Sequence, residues 1–441
     1  MIYLTLVLGF ILRLISVNQS LWLDEATSAL VAKMPIAGMF ADFLPGDFHP
    51  PLYYLLLNAW GTVSGYSEVA LRIPSLLAGM GTVYVVYRMA GRVPALLLAT
   101  SGLHIYYSQE ARMYALAALF VSLTVLFFIK TLHEKRVGDL VWYGIFLSLS
   151  ILTDYLPVLV IPALWTAAWL NGKNIFWWKK FIASHIIPAV LGALWLPYFI
   201  KQITAGLLVK SASPAWWQLL GQVNFKNIIL VPAKFIFGRI DMDVTAPYIL
   251  ITSLAFLLFG FLLVKSLKNF EKTKVIWLWL VFPLVLGLAV SFRVPTLSYF
   301  RYLFVLPAFY ILVASGIKSR LFLVLVLVVN LLTSGMYLFD SRLHREDWRS
   351  AAGALGSSKV VFPADSQKEA LIYYRKGSQI VSPGEATGKD KEIWLSRYVW
   401  EIFDPEDAAG KKIEDLGYNK TSEHNFNGVV FWKYAKKRWK E

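Results

Sequence analysis

The chain has 441 residues, of which 57% are hydrophobic and only 16% are charged, and its formal net charge at pH 7 is +15. A soluble protein carries about 25% charged residues, so this composition with its repeated apolar runs excludes an ordinary soluble protein and predicts several membrane spans. The positive charge then indicates basic loops on one membrane side and not nucleic-acid binding, and the absence of cysteine excludes disulfides, thiolate metal sites and a cysteine nucleophile.

Apolar segments in chain order predict about eleven transmembrane helices. The first segment lacks a basic start and a small-residue cleavage site, so it is interpreted as a retained span and not as a signal peptide. The predicted spans lie at 1–17, 69–88, 93–107, 113–130, 140–153, 155–170, 181–200, 246–264, 275–291, 302–317 and 321–338.

The distribution of charge between these segments predicts the orientation. With the N-terminus in the cytoplasm, the connections on that side carry fourteen basic residues against the acids Glu134, Asp139 and Glu271. The positive-inside rule favours this orientation, and an odd number of spans then places the chain after residue 339 outside. The basic residues are Arg88, Arg92, Lys130, Lys135, Arg136, Lys173, Lys179, Lys180, Lys265, Lys268, Lys272, Lys274, Lys318 and Arg320.

The connection between the first two spans, residues 18–68, is predicted to be a long external loop that carries interfacial helices. Its run PPLYYLLLNAWGTVSG is apolar, but it is short, begins with two prolines and has no basic residue at its far end. Treating it as a span would invert every later loop and move the basic loops outside. It is therefore interpreted as an interfacial or re-entrant helix, with Tyr53, Tyr54 and Trp60 as interface anchors.

Two further regions are predicted to lie outside the membrane. The segment near 201–245, with Asp241 and Asp243, is interpreted as another helix on the membrane surface. After residue 339 the short apolar runs KVVF, QIVS, EIWLSRYV and VVFWKY alternate with the helix-like stretches DSQKEALIYYRKG and DPEDAAGKKIEDLG. This alternation predicts a transmembrane domain over 1–339 and a small soluble α/β domain over 340–441.

Ionisable residues gather at the predicted external face. Such side chains are expensive at membrane depth and tend to mark function or a specific partner. Arginine makes bidentate hydrogen bonds to phosphate, and a carboxylate beside a hydroxyl or amine can act as a general base. One cavity lined by these groups would suit displacement at a carbon that bears a lipid-linked phosphate. The residues are Asp24, Glu25, Asp47, His49, His104, Glu110, Arg112, Asp154, Arg293 and Arg301.

Each of these residues also has a purely structural interpretation, because each lies near a predicted span end. Asp24 and Glu25 suit a helix start, where the dipole and unpaired amides favour acids. The stretch GDFHPPL (46–52) suits a proline-rich turn, and Glu110 with Arg112 suits a local ion pair. Asp154 would be a turn residue, and either external arginine, Arg293 or Arg301, an interface anchor.

Six motifs in order resemble the membrane-embedded glycosyltransferases of the GT-C class, in particular the protein O-mannosyltransferase-related group that includes the lipid A aminoarabinose transferases. Each motif alone is weak, but their order makes the signal strong, and it covers the chain from residue 22 to about 352. The motifs are WLDEA (22–26), DFHPPLYYLLL (47–57), ALRIPSLLAGMGTVYVVYRMAGR (70–92), YSQEARMYAL (107–116), SYFRYLFVLPAFYIL (298–312) and EDWRSAA (346–352).

The resemblance implies a polyprenyl-phosphate-linked sugar donor and transfer by a single inverting displacement on the extracytoplasmic face of a bacterial plasma membrane. The acceptor would be a glycan, a lipid or a protein, and membrane lipids surround the chain. By resemblance, Asp24 is the general base and Glu25 orients it or the acceptor. Arg112 would contact the donor phosphate or the first-loop acids, with Glu110 holding it, and Arg301 would be a second phosphate contact.

The remaining positions complete the expected substrate pocket. Asp47 and His49 would line the acceptor or sugar pocket, together with Tyr107 and Glu110. Asp154 departs from the pattern of the related sequences but is expected to face the same side.

The sequence leaves two questions open. A divalent metal ion held by the acid-rich first loop would neutralise a leaving phosphate as well as arginines do. The competing hypotheses are a transporter of lipid-linked sugars and a non-catalytic scaffold. A transporter, however, is expected to show broken helices in paired repeats with charges at the midplane, whereas these acids lie at one face.

Overall fold

A computed structural model describes residues 2–133, 136–240, 245–375 and 379–436 of the chain. Some predicted features fall outside these ranges. They are the start of the first span at residue 1, Glu134 and Lys135 of a basic connection, Asp241 and Asp243 of the second external segment, the end of a helix-like stretch at 376–378, and residues 437–441 of the soluble domain.

The described chain is mostly helical. The first helices are α1 (Ile2–Leu14), α2 (Leu23–Ala32), α3 (Ile36–Gly38), α4 (Leu52–Ser64), α5 (Glu68–Ala90), α6 (Arg92–Ala99), α7 (Gly102–Ser108), α8 (Tyr114–His133), α9 (Val137–Thr153) and α10 (Val160–Leu170). The next are α11 (Ile175–Ala183), α12 (Ile186–Ala212), α13 (Pro214–Leu219), α14 (Phe225–Phe237), α15 (Ala246–Ser266), α16 (Phe270–Ser291), α17 (Leu306–Gly316) and α18 (Arg320–Phe339). Tighter 3₁₀ turns precede α10 (Leu156–Leu159) and α17 (Tyr299–Val305).

Six helical stretches are long and apolar enough to cross a membrane, so the predicted polytopic helical fold is confirmed, while the number of eleven spans stays a prediction. The six stretches differ in how far they are buried inside the protein. In the most apolar 18-residue window of each, 17% of the residues are buried in Ile175–Ala212 and 72% in Tyr299–Gly316. Because the outer helices present leucine, isoleucine and valine side chains outward, their surface suits lipid. The six stretches are Glu68–Ala90, Tyr114–His133, Ile175–Ala212, Ile249–Ser291, Tyr299–Gly316 and Arg320–Phe339.

The predicted span at 93–107 is broken in two, since α6 ends at Ala99 and α7 begins at Gly102. The break leaves carbonyl groups without helical partners, and α18 supplies donors for them. Asn330 Nδ2 donates to the carbonyl of Leu97 at 2.9 Å, and Ser334 Oγ donates to the carbonyl of Thr100 at 2.7 Å. A polar face on one span therefore stabilises an irregular turn in another.

The predicted end of a span at residue 200 does not coincide with a helix end, because α12 continues without interruption to Ala212. Most residues between 200 and 212 are good helix formers or small, and nothing in that stretch breaks the hydrogen-bond ladder. The surface helix predicted near 201–245 is therefore replaced by the end of α12 and the separate helices α13 and α14.

The predicted C-terminal α/β domain contains a five-stranded sheet. Its strands are β1 (Lys359–Val361), β2 (Ile380–Val381), β3 (Glu392–Ser396), β4 (Tyr418–Phe426) and β5 (Val429–Lys436), in the order β2-β1-β3-β5-β4. β1 pairs in parallel with β2 and β3, while β5 runs antiparallel to β3 and β4. The helices of this part are α19 (Trp348–Leu355), α20 (Glu369–Tyr374), α21 (Trp400–Phe403) and α22 (Ala408–Asp415).

The C-terminal domain is docked on the first loop, mainly through α20. The backbone N–H of Leu21 donates to the Tyr374 hydroxyl at 2.7 Å, and the Tyr373 hydroxyl donates to the carbonyl of Tyr66 at 2.6 Å. An ion pair of 2.8 Å joins Arg349 to Glu68 at the start of α5. These contacts fix the entrance of α2, where the acid pair lies.

Candidate active site

Asp24 and Glu25 lie in the first turn of α2, so the helix-start interpretation describes their backbone correctly. Trp22 takes an extended conformation just before the helix and offers no side-chain cap. Acidic side chains are favoured there because the helix dipole and the unpaired N–H groups are positive. The two neighbouring carboxylates, however, have entirely different surroundings.

Glu25 is fully buried and all its acceptor capacity is used. Arg72 donates from Nε to Oε1 at 2.8 Å and from Nη2 to Oε2 at 2.6 Å, a bidentate pair. The N–H of Ala111 donates to Oε1 at 2.7 Å, and Arg345 Nε lies 3.5 Å from Oε2. Burial alone would raise the pKa of Glu25, but the charges of Arg72 and Arg345 hold it below its ordinary value. Glu25 is therefore a permanent anion that joins distant segments.

Arg72 extends this junction into the backbone of the first loop. Besides Glu25, its guanidinium donates to the carbonyls of Val17 at 2.7 Å, Gln19 at 2.6 Å and Ser20 at 3.0 Å. Five donors in a planar fork are thus all satisfied, which an arginine can do and a lysine cannot. The pair of Arg72 and Glu25 fixes where α2 begins.

Asp24, in contrast, is partly exposed. Its side chain is 39% exposed, and its one ion pair within the described chain joins Oδ2 to Arg112 Nη2 at 3.6 Å. Arg112 is 5% exposed, donates from Nη1 to Ser28 Oγ at 3.3 Å, and has a buried Nε without a hydrogen-bond partner among the described residues. The structure thus brings the predicted base and the predicted arginine together.

Asp47 and His49 form a second polar group beside this pair. The Tyr54 hydroxyl donates to Asp47 Oδ2 at 2.8 Å, and His49 Nδ1 lies 3.5 Å from the same oxygen. Burial raises the pKa of Asp47, but the facing His49 and the charge of Arg112 bring it below its ordinary value. Arg112 therefore acts electrostatically on two first-loop acids, Asp24 and Asp47.

Two cavities lie near these residues. The first opens next to His49 and has a volume of about 350 Å³, and the second, of about 290 Å³, is lined by Trp22, Arg239 and Arg345 among others. The walls of the first cavity are mostly apolar and come largely from α12, the 3₁₀ turn Leu156–Leu159 and the segment after α16, where Phe199, Leu207 and Val294 line it. Its polar groups are few, and they include predicted site residues. They are His49, Asp154, Gln202, Arg293, Thr296 and Arg301. An apolar cleft with a cationic side suits a lipid that ends in an anionic group.

One predicted pocket residue, Tyr107, and one residue of the predicted external polar cluster, His104, lie elsewhere. Tyr107 is buried among the rings of Tyr106, Tyr114 and Phe300 and lines neither cavity. His104, in α7, is fully buried with its Nδ1 at 2.6 Å from the guanidinium of Arg13, inside the helix bundle. Tyr107 and His104 therefore contribute to the packing around the site and not to the walls of either cavity.

Glu110 was expected to hold Arg112, but its hydrogen bond goes to Trp22. Trp22 Nε1 donates to Glu110 Oε1 at 2.8 Å, while Oε2 is buried without a hydrogen-bond partner among the described residues. Burial, opposed by Arg345 and assisted by Glu25, raises the pKa of Glu110 to about 7. At a pH between the ordinary glutamate pKa and about 7, Glu110 thus keeps its proton in the folded protein, whereas the unfolded chain has already lost it.

We expect Glu110→Gln to remove a pH-dependent loss of stability. Between the ordinary glutamate pKa of about 4.3 and about 7, the folded wild type binds more protons than the unfolded chain, so its stability falls as pH rises. Glutamine cannot ionise and keeps the acceptor for Trp22. The melting temperature of E110Q minus that of the wild type should grow from pH 5 to 7 and then level off. A pH-independent difference would contradict this assignment.

The described residues contain no group of three or more histidine, aspartate or glutamate side chains arranged to hold a metal ion. Each first-loop acid of the site already faces a cation or a donor: Asp24 faces Arg112, Glu25 faces Arg72, and Asp47 faces Tyr54. This donor set does not fit a metal ion.

Sequence reasoning missed three arginines of the site: Arg72, Arg239 and Arg345. Arg72 interrupts the apolar run ALRIPSLL, and an ionisable residue inside such a run is a usable signal. Arg345 lies in polar surroundings in the sequence, where one more arginine draws no attention, and Arg239 follows the end of an apolar segment. Their importance comes from distant contacts, since Arg345 Nη2 donates to the carbonyl of Tyr106 at 3.0 Å.

Comparison with known proteins agrees with this fold. Residues 48–200 match the family described as dolichyl-phosphate-mannose-protein mannosyltransferase. No curated protein matches the chain by sequence. The matched segment begins at Phe48, beside Asp47, and contains Arg72, Glu110 and Arg112.

One solved structure shares the fold of nearly the whole chain. ArnT from Cupriavidus metallidurans bound to undecaprenyl phosphate is 12% identical, with a TM-score of 0.54, covering 98% of this chain and 97% of that one. The apo state of the same protein is 14% identical with a TM-score of 0.45, covering 98% and 96%. At this identity the likeness concerns the fold. With the family match it confirms the predicted resemblance to membrane glycosyltransferases of the GT-C class.

Proposed function

We propose that this protein is a glycosyltransferase that moves a sugar from a polyprenyl-phosphate-linked donor to an acceptor on the extracytoplasmic face of a bacterial plasma membrane. Residues 1–339 would form the catalytic transmembrane domain and residues 340–441 a domain outside the membrane. The family match, the fold, and the undecaprenyl phosphate bound to the structurally similar ArnT support this assignment.

The observation that carries the proposal is the position of the Asp24 carboxylate. It is partly exposed, lies 3.6 Å from Arg112, and is the one acid of its pair that a substrate can reach, since Glu25 is enclosed. In the proposed reaction, Asp24 takes the proton of the acceptor hydroxyl or amine as that atom attacks the anomeric carbon. The bond from this carbon to the phosphate oxygen breaks, and the electron pair leaves with polyprenyl phosphate.

The first cavity is the proposed donor site. Its apolar walls suit the polyprenyl chain, and Arg301 and Arg293 suit the phosphate because guanidinium groups neutralise an oxyanion that gains charge as it leaves. From there the polar groups continue through His49 and Asp47 to Arg112. Arg112 would stabilise charge between the phosphate and the base, and Glu25 would act as a positioning residue.

We expect Arg301→Gln to weaken the binding of undecaprenyl phosphate about tenfold, because a charge-assisted hydrogen bond contributes about 1.5–3 kcal/mol. Titration of the lipid phosphate onto the purified protein in nanodiscs, followed by tryptophan fluorescence, measures the Kd. Arg320→Gln is the matched control, since Arg320 is exposed at the start of α18 and lines neither cavity.

The proposal itself is tested by incubating the wild type in nanodiscs with a polyprenyl-phosphate sugar and extracts of the cell envelope. We expect the sugar to appear on an envelope component as polyprenyl phosphate is released, both read by mass spectrometry. Movement of the intact donor across the bilayer without loss of its sugar would instead identify a transporter.

A further inference from the structure

Helix α12 is largely exposed and apolar, and a single narrow stripe of it is buried. Along its length, all of which the structure describes, only Trp195, Gln202 and Gly206 are buried. Separations of seven and four residues place these three side by side on one face of a helix. This face lies against the first loop, and its middle residue, Gln202, is polar.

Gln202 is bonded to both ends of the segment 44–49, which carries Asp47. Its Nε2 donates to the carbonyl of Leu44 at 2.8 Å and to the carbonyl of His49 at 3.1 Å. Both protons of the amide nitrogen are therefore used. The segment begins as a short 3₁₀ turn and continues without regular structure to the start of α4, so its carbonyl groups depend on donors from elsewhere.

Tyr155 and Trp195 determine the direction in which the Gln202 amide points. Trp195 Nε1 donates to the Tyr155 hydroxyl at 2.7 Å, and that hydroxyl donates to Gln202 Oε1. Carbonyl oxygens only accept hydrogen bonds, so the amide nitrogen faces the first loop and the amide oxygen faces Tyr155. An indole N–H only donates, so every bond in this chain has one possible direction. Trp195 and Tyr155 thus hold Gln202 in the orientation that the loop requires.

Packing on both sides of Gln202 reinforces this contact. A β-carbon at position 206 would lie 3.5 Å from the ring of Phe48, so the backbone of α12 approaches the loop closely there. Trp195 meets Phe40 edge-on, with the ring centres 6.3 Å apart. Loop residues before and after Asp47 therefore rest on the same helix face.

We propose that Gln202 is a positioning residue of the transfer reaction, which holds Asp47 and His49 in place beside the first cavity. The inference rests on the proposed function. Gln202, Tyr155 and His49 all line that cavity, so a shift of the segment 44–49 would move its polar groups relative to a bound donor. A misplacement of about 1 Å can lower a rate on the order of 10²-fold. Gln202 acts through the first loop and takes no part in the chemistry itself.

Gln202→Leu tests this role, because leucine fills similar space and offers the two carbonyls no donor. We expect kcat for sugar transfer in nanodiscs to fall about ten- to hundredfold, while the Kd for undecaprenyl phosphate stays as in the wild type. Hydrogen exchange of residues 40–49, followed by mass spectrometry, should become several-fold faster, because the segment opens more often. Thr204→Val is the matched control: Thr204 is exposed on the same helix, its hydroxyl donates to the carbonyl of Ile200, and T204V should behave as the wild type.

Tyr155→Phe adds a measurement that distinguishes action through Gln202 from direct contact with the donor. We expect Y155F to lower kcat several-fold, since the amide loses the bond that orients it. The double variant Q202L/Y155F should be no slower than Q202L alone, because the two residues act as one unit. Multiplied losses would show that Tyr155 contacts the donor by itself and would contradict the proposed chain of contacts.

Two further results would overturn the inference. A wild-type kcat in Q202L would show that transfer does not depend on this contact, and a lower kcat with unchanged exchange would show that Gln202 touches the substrate directly. Should Q202L fail to fold, Y155F decides by the same two measurements, and no change in them overturns the inference. Hydrogen exchange needs no sugar transfer. A wild type that moves no sugar therefore counts against the proposed function, while exchange still reports whether Gln202 holds the segment.

Discussion

Replacing Asp24 by asparagine is expected to lower sugar transfer about 10²–10⁴-fold while the protein stays folded, because the change removes a general base and little else. The side chain is 39% exposed and makes one ion pair, at 3.6 Å, of a kind that contributes about 0–1 kcal/mol. Asparagine keeps the shape and an acceptor oxygen. Variants are expressed in a strain that lacks the gene, and the sugar on envelope components is measured by mass spectrometry.

The matched control for this variant is Asp42→Asn. Asp42 is an exposed acid of the same loop and lines neither cavity, so D42N should transfer sugar at the wild-type rate. Size-exclusion chromatography of the detergent-solubilised proteins gives the amount of folded enzyme for normalisation. Wild-type transfer by D24N would refute the assignment of Asp24 as base.

Replacing the neighbouring Glu25 by glutamine is expected to destabilise the fold itself. The free energy of unfolding should fall by about 3–5 kcal/mol. Glutamine cannot neutralise Arg72, whose buried guanidinium is 2.6 Å from Glu25 Oε2, and it also weakens the contact to Arg345. Because net stability is only about 5–15 kcal/mol, most of E25Q should fail to accumulate. Its melting temperature in detergent should fall sharply.

Glu271→Gln is the control for charge removal as such. Glu271 pairs with Lys274 at 3.3 Å but is 83% exposed, so this pair should contribute little and E271Q should melt as the wild type does. A double variant, Glu25→Gln with Arg72→Gln, should cost less than the sum of the two single changes, since the partners form one unit. Additive losses, or an E25Q protein as stable as the wild type, would show that the pair is not a structural junction.

Much of the fold follows from local patterns. Apolar runs located the long helices, and the apolar strands KVVF, QIVS, EIWLSRYV and VVFWKY all pair in the sheet. The strand β4, with the sequence YNKTSEHNF, was missed because it is polar and lies at the sheet edge, with most of its side chains exposed. Its pairing with β5 depends on backbone hydrogen bonds, which side-chain patterns do not report.

The sequence predicted which residues form the candidate site better than it predicted the role of each residue. The sequence placed Asp24 and Glu25 together but gave no physical basis for ranking them, because their difference arises from Arg72, Ala111 and Arg345 far away in the chain. Similarly, Glu110 binds Trp22 and not the nearby Arg112, since α7 and the following turn direct its carboxylate toward the first loop. Contacts between side chains of separate helices and loops cannot be predicted from the spacing of residues in the sequence.

The contacts of Arg345 and Tyr374 with the first loop also determine when, during synthesis, the candidate site can form. Glu25 and Leu21 leave the ribosome early, whereas their partners Arg345 and Tyr374 follow more than three hundred positions later. At about 5–20 residues per second this interval lasts on the order of 15–60 s. During it Glu25 lacks part of its enclosure, so we expect a chain arrested before Arg345 to insert in the membrane without forming a working site. Synthesis of the C-terminal domain is thus the step that we expect to complete the candidate site.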